Sequence, residues 1–224
     1  MNYRIEGESL PAVIIELEAG ESMISEAGGR TWVLGPIATE TKSGGAMKAL
    51  GRMFSGESLF LSKYTAQGKA EIAFTSSFPG KIVAKELAAG QSLICQKSSF
   101  LCATEGVDLS VFFQKKIGAG LVGGEGFIMQ KVTGPGTVFL ELDGYTPEYE
   151  LAAGQKLVCD TGVVAYMDET CTLDVQMVKG VKNMFFGGEG MFDTVVTGPG
   201  KVCLQTMTAA KLAGLISPYI ATKG

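Results

Sequence analysis

Three glutamates recur at nearly regular spacing along this 224-residue chain, each among small residues that would let a ligand or another backbone come close. They are Glu57, Glu125 and Glu189, separated by 68 and then 64 residues (125 − 57; 189 − 125). Carboxylates brought together raise one another's pKa unless a cation or backbone donor compensates, so a ring of three could support acid–base chemistry. Glycine beside glutamate ahead of a strand is also typical of a β-bulge with an exposed carboxylate, and we favour that interpretation.

Other catalytic templates find little support in the sequence. The chain contains no histidine, which removes the commonest general base, nucleophile activator and metal ligand together. No Ser-x-x-Lys, Gly-x-Ser-x-Gly or phosphate-binding loop sequence occurs. We therefore expect no catalytic residues, no metal and no cofactor, and we predict that the protein is not an enzyme.

The composition indicates a reduced, oligomeric protein. The five cysteines lie in apolar strings without a Cys-x-x-Cys pair, which predicts buried reduced thiols. Apolar residues make up 46% of the chain, and the mean hydropathy is +0.24. This value suggests that some apolar surface is covered by another subunit or a membrane, and a homo-oligomer is the simpler explanation.

The charge balance argues against nucleic acid as a partner. Lys and Arg number 19 against 23 Asp and Glu, so the net charge is −4 and no overall basic field exists. No apolar run reaches the roughly 18 residues that a membrane-spanning helix needs. The first residues, Met1–Glu8, lack the apolar core of a signal peptide, so we expect a cytoplasmic protein.

Aligning the chain with itself reveals three divergent copies of one unit of roughly 65 residues. The first landmark is a Leu-x-Ala-Gly sequence, found at Leu17–Gly20, Leu87–Gly90 and Leu151–Gly154. The second is the sequence around the three glutamates. The third follows each glutamate by eight residues, at Thr65–Gly68, Thr133–Gly136 and Thr197–Gly200. The last two of these contain Gly-Pro-Gly, which predicts a tight hairpin turn.

Alternating apolar residues around these landmarks predict β-strands, such as Val13–Leu17, Ala70–Phe74, Thr137–Leu142 and Lys201–Met207. We therefore predict an all-β fold of three tandem β-sandwich modules with pseudo-threefold repetition, at residues 1–78, 79–146 and 147–207. Residues 208–224 form a short C-terminal helix and tail, with Thr208 as the N-cap and Pro218 as the stop.

An apolar and basic segment precedes each glutamate, and all three combine two cations with bulky apolar residues. The candidate interaction residues are Lys48, Arg52, Met53, Phe54, Lys115, Lys116, Lys179, Lys182, Phe185 and Phe186, together with Glu57, Glu125 and Glu189. Such a hairpin could rest on a membrane surface or dock on a partner protein. In the alternative interpretation, the apolar residues of the segment fill the module cores while its cations face water. We favour this interpretation because short apolar strand segments are mostly core.

The string Gly44–Phe60, the repeated Leu-x-Ala-Gly, the Gly-Gly-Glu-Gly and the Gly-Pro-Gly turns resemble the altered-inheritance-of-mitochondria protein twenty-four family over almost the whole chain. The resemblance implies small sandwiches of the double-stranded β-helix type, as in the tryptophan RNA-binding attenuation protein (TRAP-like), here triplicated. Mitochondrial members are associated with inner-membrane organisation, and bacterial members are generally uncharacterised. No catalytic residues carry over, and fold alone does not determine function.

Three functional hypotheses follow. The first is a non-enzymatic scaffold or assembly protein that associates with a membrane surface or partner protein through the three apolar and basic hairpins. The alternative is a small-ligand or RNA-binding module that uses clefts between the β-sandwich repeats. An enzyme with an unrecognised carboxylate site is the third hypothesis.

Overall fold

The computed structural model describes residues 1–26, 28–42, 61–115, 127–177 and 192–220. Within these ranges the chain forms nineteen β-strands, one α-helix and two short 3-10 turns. The prediction of an all-β fold with a short C-terminal helix is confirmed. The predicted strand at 201–207 ends earlier than expected, at Leu204.

The strands follow one another in chain order. The N-terminal third contains β1 (Asn2–Glu6), β2 (Ala12–Leu17), β3 (Ser22–Glu26), β4 (Arg30–Leu34), β5 (Ile37–Lys42), β6 (Leu61–Ala66) and β7 (Ala70–Thr75). The middle third contains β8 (Gly80–Leu87), β9 (Ser92–Gln96), β10 (Phe100–Thr104), β11 (Asp108–Lys115), β12 (Phe127–Thr133) and β13 (Gly136–Asp143). The last third contains β14 (Glu148–Leu151), β15 (Lys156–Asp160), β16 (Val164–Asp168), β17 (Thr172–Met177), β18 (Phe192–Thr197) and β19 (Gly200–Leu204).

Four sheets contain these strands. Their orders are β1-β2-β7-β4, β5-β6-β3-β10-β13-β8, β11-β12-β9-β16-β19-β14 and β15-β18-β17. A pattern of six strands therefore recurs as β2–β7, β8–β13 and β14–β19, with β1 as an additional strand at the N-terminus. In each set the first, third and sixth strands share one sheet, and the second, fourth and fifth share another.

The Gly-Pro-Gly turns do not form the predicted hairpins. Each joins the fifth and sixth strands of a set, which belong to different sheets, so the turn carries the chain from one sheet to another. Its first glycine hydrogen-bonds to the Leu-x-Ala-Gly turn of the same repeat: Gly134 N donates to Gln91 O (3.0 Å), and Gly90 N donates to Gly134 O (3.4 Å). A Cβ on Gly134 would lie 2.5 Å from the carbonyl oxygen of Ala88, so the contact needs glycine.

The chain divides into two compact units. The first comprises Met1–Ser92, Ser98–Val111 and Lys131–Leu142, and the second comprises Leu93–Lys97, Phe112–Gln130 and Asp143–Gly224. The sheets explain this division. The second and third sheets each contain strands from two consecutive sets, so the boundary between the units follows the sheets and not the sets. The predicted division into modules at 1–78, 79–146 and 147–207 corresponds to β1–β7, β8–β13 and β14–β19 and stays a prediction.

Each unit has its own apolar core. In the first unit, Ile15, Phe74 and Phe139 lie fully buried at the centre of a cluster that joins the first two sheets. In the second unit, Phe127 and Met167 occupy the corresponding place between the last two sheets. Full burial of a side chain of this size contributes about 1.5–3 kcal/mol relative to exposure, so these clusters stabilise both sandwiches.

The helix α1 (Ala209–Ile216) has the predicted cap. The Thr208 hydroxyl accepts a hydrogen bond from Lys211 N (3.1 Å), and a 3-10 turn at Ser217–Tyr219 ends the helix. Among the described residues, no helix has the length and apolar character needed to cross a bilayer.

Candidate interaction surfaces

The three apolar and basic segments occupy the same topological position. Each connects the fourth and fifth strands of a set: β5 to β6, β11 to β12 and β17 to β18, and these pairs are neighbours in their sheets. Of the predicted interaction residues, only Lys115 falls on a described strand, at the end of β11. The others lie outside the described residues, namely Lys48, Arg52, Met53, Phe54, Glu57, Lys116, Glu125, Lys179, Lys182, Phe185, Phe186 and Glu189.

The strand ladders bring the ends of the first and third segments together. Lys42 pairs with Leu61 at the last position of the β5–β6 ladder, and Met177 pairs with Phe192 at the last position of the β17–β18 ladder. The described strands therefore flank residues 43–60 and residues 178–191 at adjacent strand ends of one sheet. The three segments are equivalent in the fold as well as in sequence.

Exposed apolar side chains occur on strands that lead into these connections. Val111 and Phe112 on β11 are each 41% exposed, and Met177 at the end of β17 is 64% exposed. Large apolar side chains are usually buried, and these three extend the apolar character of the segments onto described strands. The base of the third hairpin is acidic, with Asp174 and Asp193 on β17 and β18, so the cations there come from residues 178–191.

A second kind of surface follows from how the sheets pass from one repeat to the next. Strand β3 pairs with β10, and β9 pairs with β16, both antiparallel. We call these two pairings the internal junctions. In each, the second strand of one set meets the third strand of the following set.

Two strands that would form further junctions lie at sheet edges, and we call them the open edges. Within the described part of the chain, β4 forms a ladder with β7 alone, and β15 forms a ladder with β18 alone. On β4, Trp32 is 42% exposed and Leu34 is 67% exposed; on β15, Val158 is 60% exposed. An edge strand presents unpaired backbone N–H and C=O groups, and apolar side chains there favour association.

Cys159 on β15 is the one partly exposed cysteine; the other four are buried, which largely confirms the prediction of buried thiols. All five fall within the described residues, and none forms a disulfide. Burial, together with the nearby negative charges of Asp160 and Asp193, raises the pKa of Cys159 to about 12. The thiol is therefore protonated at neutral pH and is a poor nucleophile or metal ligand.

Two other perturbed groups, Tyr166 and Glu141, have structural partners. The Tyr166 hydroxyl donates to Glu148 Oε2 at 2.6 Å, and burial together with this hydrogen bond raises the pKa of Tyr166 far above its usual value of 10. Burial raises the pKa of Glu141, although Ser77 N donates to its carboxylate at 2.7 Å. No group of three or more metal-ligating side chains occurs among the described residues.

The open edges were not identified from the sequence. A sequence signal was present, because Trp32, Cys102 and Tyr166 each follow the glycine of their Leu-x-Ala-Gly landmark by twelve residues (32 − 20; 102 − 90; 166 − 154). The structure aligns the same residues, since each repeat places a register shift at this point of the third strand: between Arg30 and Trp32, between Phe100 and Cys102, and between Val164 and Tyr166. Aligning the strands by this shift makes Trp32 the equivalent of two buried residues, Cys102 and Tyr166. The exposure of this tryptophan at an otherwise buried position marks the surface, and only the structure shows that exposure.

Comparison with known proteins agrees with this architecture. Residues 3–207 match the family model described as "Mitochondrial biogenesis AIM24". The chain belongs to the AIM24 family. An uncharacterised protein from Streptococcus pyogenes serotype M6 is 28% identical over 221 residues, which cover 95% of this chain and 88% of the relative.

A solved structure supports the fold of this AIM24 chain. The crystal structure of a Streptococcus pyogenes protein aligns with a TM-score of 0.79 at 24% identity, covering 98% of this chain and 99% of the other. At this identity the likeness establishes the fold alone. The resemblance identified from the landmark sequences is therefore confirmed, and function has to be argued from the surfaces of this AIM24 chain itself.

Proposed function

We propose that this AIM24 protein is a non-enzymatic scaffold whose three hairpin connections attach to an anionic membrane surface. The observation that carries the proposal is the equivalence of the three apolar and basic segments, each of which joins the fourth and fifth strands of a repeat. Three copies of one hairpin suit multivalent attachment, because each additional contact forms at high effective concentration once the first is made.

The chemistry of the segments suits the lipid interface. Lys48 and Arg52 flank the sequence Ala-Leu-Gly, and Arg52 is followed directly by Met53 and Phe54. Apolar side chains can enter the headgroup region while Lys and Arg remain near lipid phosphates. Exposed Met177 extends apolar character onto a described strand of the third repeat.

The lack of catalytic chemistry supports a scaffold over an enzyme. The sequence supplies no histidine. The pKa of Cys159, the one partly exposed thiol, is raised to about 12, which disfavours a thiolate nucleophile. The buried Tyr166 is held by Glu148 in a contact that serves the fold. Binding and assembly therefore account for these features better than catalysis does.

Vesicle co-sedimentation tests the proposal. The full chain should bind phosphatidylcholine vesicles that contain phosphatidylserine, bind pure phosphatidylcholine vesicles weakly, and lose binding as salt is raised. Each cation near an anionic surface contributes about 1 kcal/mol, so the double charge reversal Lys48→Glu/Arg52→Glu should weaken binding by about thirtyfold or more.

A matched control separates local attachment from net charge. Lys69 and Lys81 are exposed lysines outside the three connections, on a described turn and a described strand. The variant Lys69→Glu/Lys81→Glu changes net charge equally and should retain most of the binding. Equal losses in the two variants, or no binding of the unmodified chain to anionic vesicles at low salt, would overturn the membrane proposal.

A further inference from the structure

The two internal junctions share one register. In the β9–β16 junction, Tyr166 pairs with Cys95, Met167 with Ile94, and Asp168 with Leu93. In the β3–β10 junction, Ala103 pairs with Ile24 and Thr104 with Met23. Counting from the Leu-x-Ala-Gly glycines, Ile24 and Ile94 are equivalent positions, so the fold repeats one specific way of joining a second strand to a third strand.

This register can be transferred to the open edges. The shared register shift makes Trp32, Val33 and Leu34 the equivalents of Tyr166, Met167 and Asp168. The spacing from Gly154 makes Leu157, Val158 and Cys159 the equivalents of Leu93, Ile94 and Cys95. The same pairing would therefore set Trp32 opposite Cys159, Val33 opposite Val158, and Leu34 opposite Leu157.

We propose that β4 of one copy pairs with β15 of a second copy of this chain, in the register of the internal junctions. The partner is another copy because the two edges are the complementary halves of a pairing that the chain already makes twice. The proposal goes beyond membrane attachment, and it gives the expected homo-oligomer a defined interface.

The side chains on the two edges fit such a contact. Trp32 and Leu34 lie on one face of β4, opposite Cys159 and Leu157, while Val33 and Val158 lie on the other face. At the β9–β16 junction Ile94 and Tyr166 are almost fully buried, whereas their equivalents on the open edges, Val158 and Trp32, are 60% and 42% exposed. Pairing would bring the exposed residues into the environment that their equivalents already have.

Backbone and charge add to the fit. The pairing would satisfy edge N–H and C=O groups on both strands, which is how an added strand gains affinity. Continuing the register by one residue sets the uncharged Thr31 opposite Asp160, so no like charges face each other at that end. Like charges facing each other across strands would have opposed the pairing.

The interface is heterologous, because each copy offers two different edges. Such head-to-tail contacts produce a closed ring when the rotation between copies closes and an open chain when it does not. In either case, every interior copy uses both of its edges. The mass of the assembly should be a multiple of the 23.5 kDa chain mass.

Single substitutions with lysine should block one edge at a time. Lysine on an edge strand disfavours further strand pairing. Leu34→Lys disables the β4 edge and Val158→Lys disables the β15 edge, while Leu10→Lys alters an exposed leucine outside every strand and serves as control. All three positions are exposed, and circular dichroism would check that each variant folds.

Analytical ultracentrifugation distinguishes the outcomes. The unmodified chain and Leu10→Lys should form species of two or more chains at micromolar concentration, and each edge variant alone should be weakened at least tenfold in self-association. An equimolar mixture of Leu34→Lys and Val158→Lys should form a dimer and nothing larger, because one intact edge of each kind remains.

Other results would overturn the proposal. They are a monomeric unmodified chain across the concentration range, an oligomer that neither lysine substitution weakens, and a mixture of the two variants that stays monomeric.

A second measurement checks the register: in a Cys159→Ser background, the double variant Val33→Cys/Val158→Cys should cross-link into chain multiples on oxidation. Val33→Cys/Lys156→Cys, displaced by two residues, should cross-link far less. Equal cross-linking in both would contradict the register.

Discussion

The β9–β16 junction and the open edges β4 and β15 consist of equivalent strands in different surroundings. At the junction, Ile94 and Met167 face each other across the ladder and are fully buried. Their equivalents on the open edges, Val158 and Val33, have a ladder on one side only. The residue types stay apolar in both places although their exposure differs.

This difference shows that apolar character alone does not report burial in a repeated fold. Protein surfaces carry many apolar atoms, but an apolar residue whose repeat equivalents are all buried is more informative than an isolated one. Trp32 illustrates the point, because its equivalents Cys102 and Tyr166 are both buried. The comparison identifies which exposed residues deserve substitution first.

The largest expected difference is in stability between equivalent truncations. Ile94→Ala removes fully buried methyl and methylene groups and should lower the free energy of unfolding by about 2–5 kcal/mol. Val158→Ala should change it by no more than about 0.5 kcal/mol, because the side chain is mostly exposed. Urea unfolding at submicromolar concentration measures both without self-association, and similar losses in the two variants would show that the positions have the same environment.

A smaller difference is expected at the aromatic positions. Tyr166→Phe removes the hydrogen bond to Glu148, and a hydrogen bond to a charged group contributes about 1.5–3 kcal/mol. Since Glu148 is exposed and regains water, a loss near the lower end, about 1.5 kcal/mol, is expected. Trp32→Phe on the open edge should cost about 0.5 kcal/mol or less. A Tyr166→Phe protein as stable as the unmodified chain would mean that the hydroxyl adds nothing to the junction.

The smallest expected effect leaves stability unchanged and concerns thiol reactivity. Because the pKa of Cys159 is raised to about 12, the thiolate fraction, and with it the alkylation rate, should rise about tenfold per pH unit from pH 7 to 10. Buried Cys102 should react only after unfolding. Mass spectrometry of iodoacetamide-treated protein would identify the labelled residue. A rate for Cys159 that levels off near pH 9 would contradict the raised pKa.

Much of the local structure was predictable from the residues. The glycine of each Leu-x-Ala-Gly landmark has a positive φ, at +90°, +79° and +77° for Gly20, Gly90 and Gly154, a conformation that favours glycine. The alternation in β7 and the Thr208 cap were also recognisable, since both depend on neighbouring residues. The prediction of a hairpin at Gly-Pro-Gly was wrong, because a turn sequence specifies a change of direction without specifying which sheet the next strand joins.

By itself, the sequence determined that this is an all-β chain with three copies of one unit, and it identified the three apolar and basic connections. Only the tertiary structure decided that sheets pass from one repeat into the next at β3–β10 and β9–β16, and that β4 and β15 lie at sheet edges. The physical reason is that turns and strand alternation depend on adjacent residues. Strand pairing instead uses backbone hydrogen bonds between distant residues, which any apolar strand can offer, so the partner is selected by the packing of whole sheets.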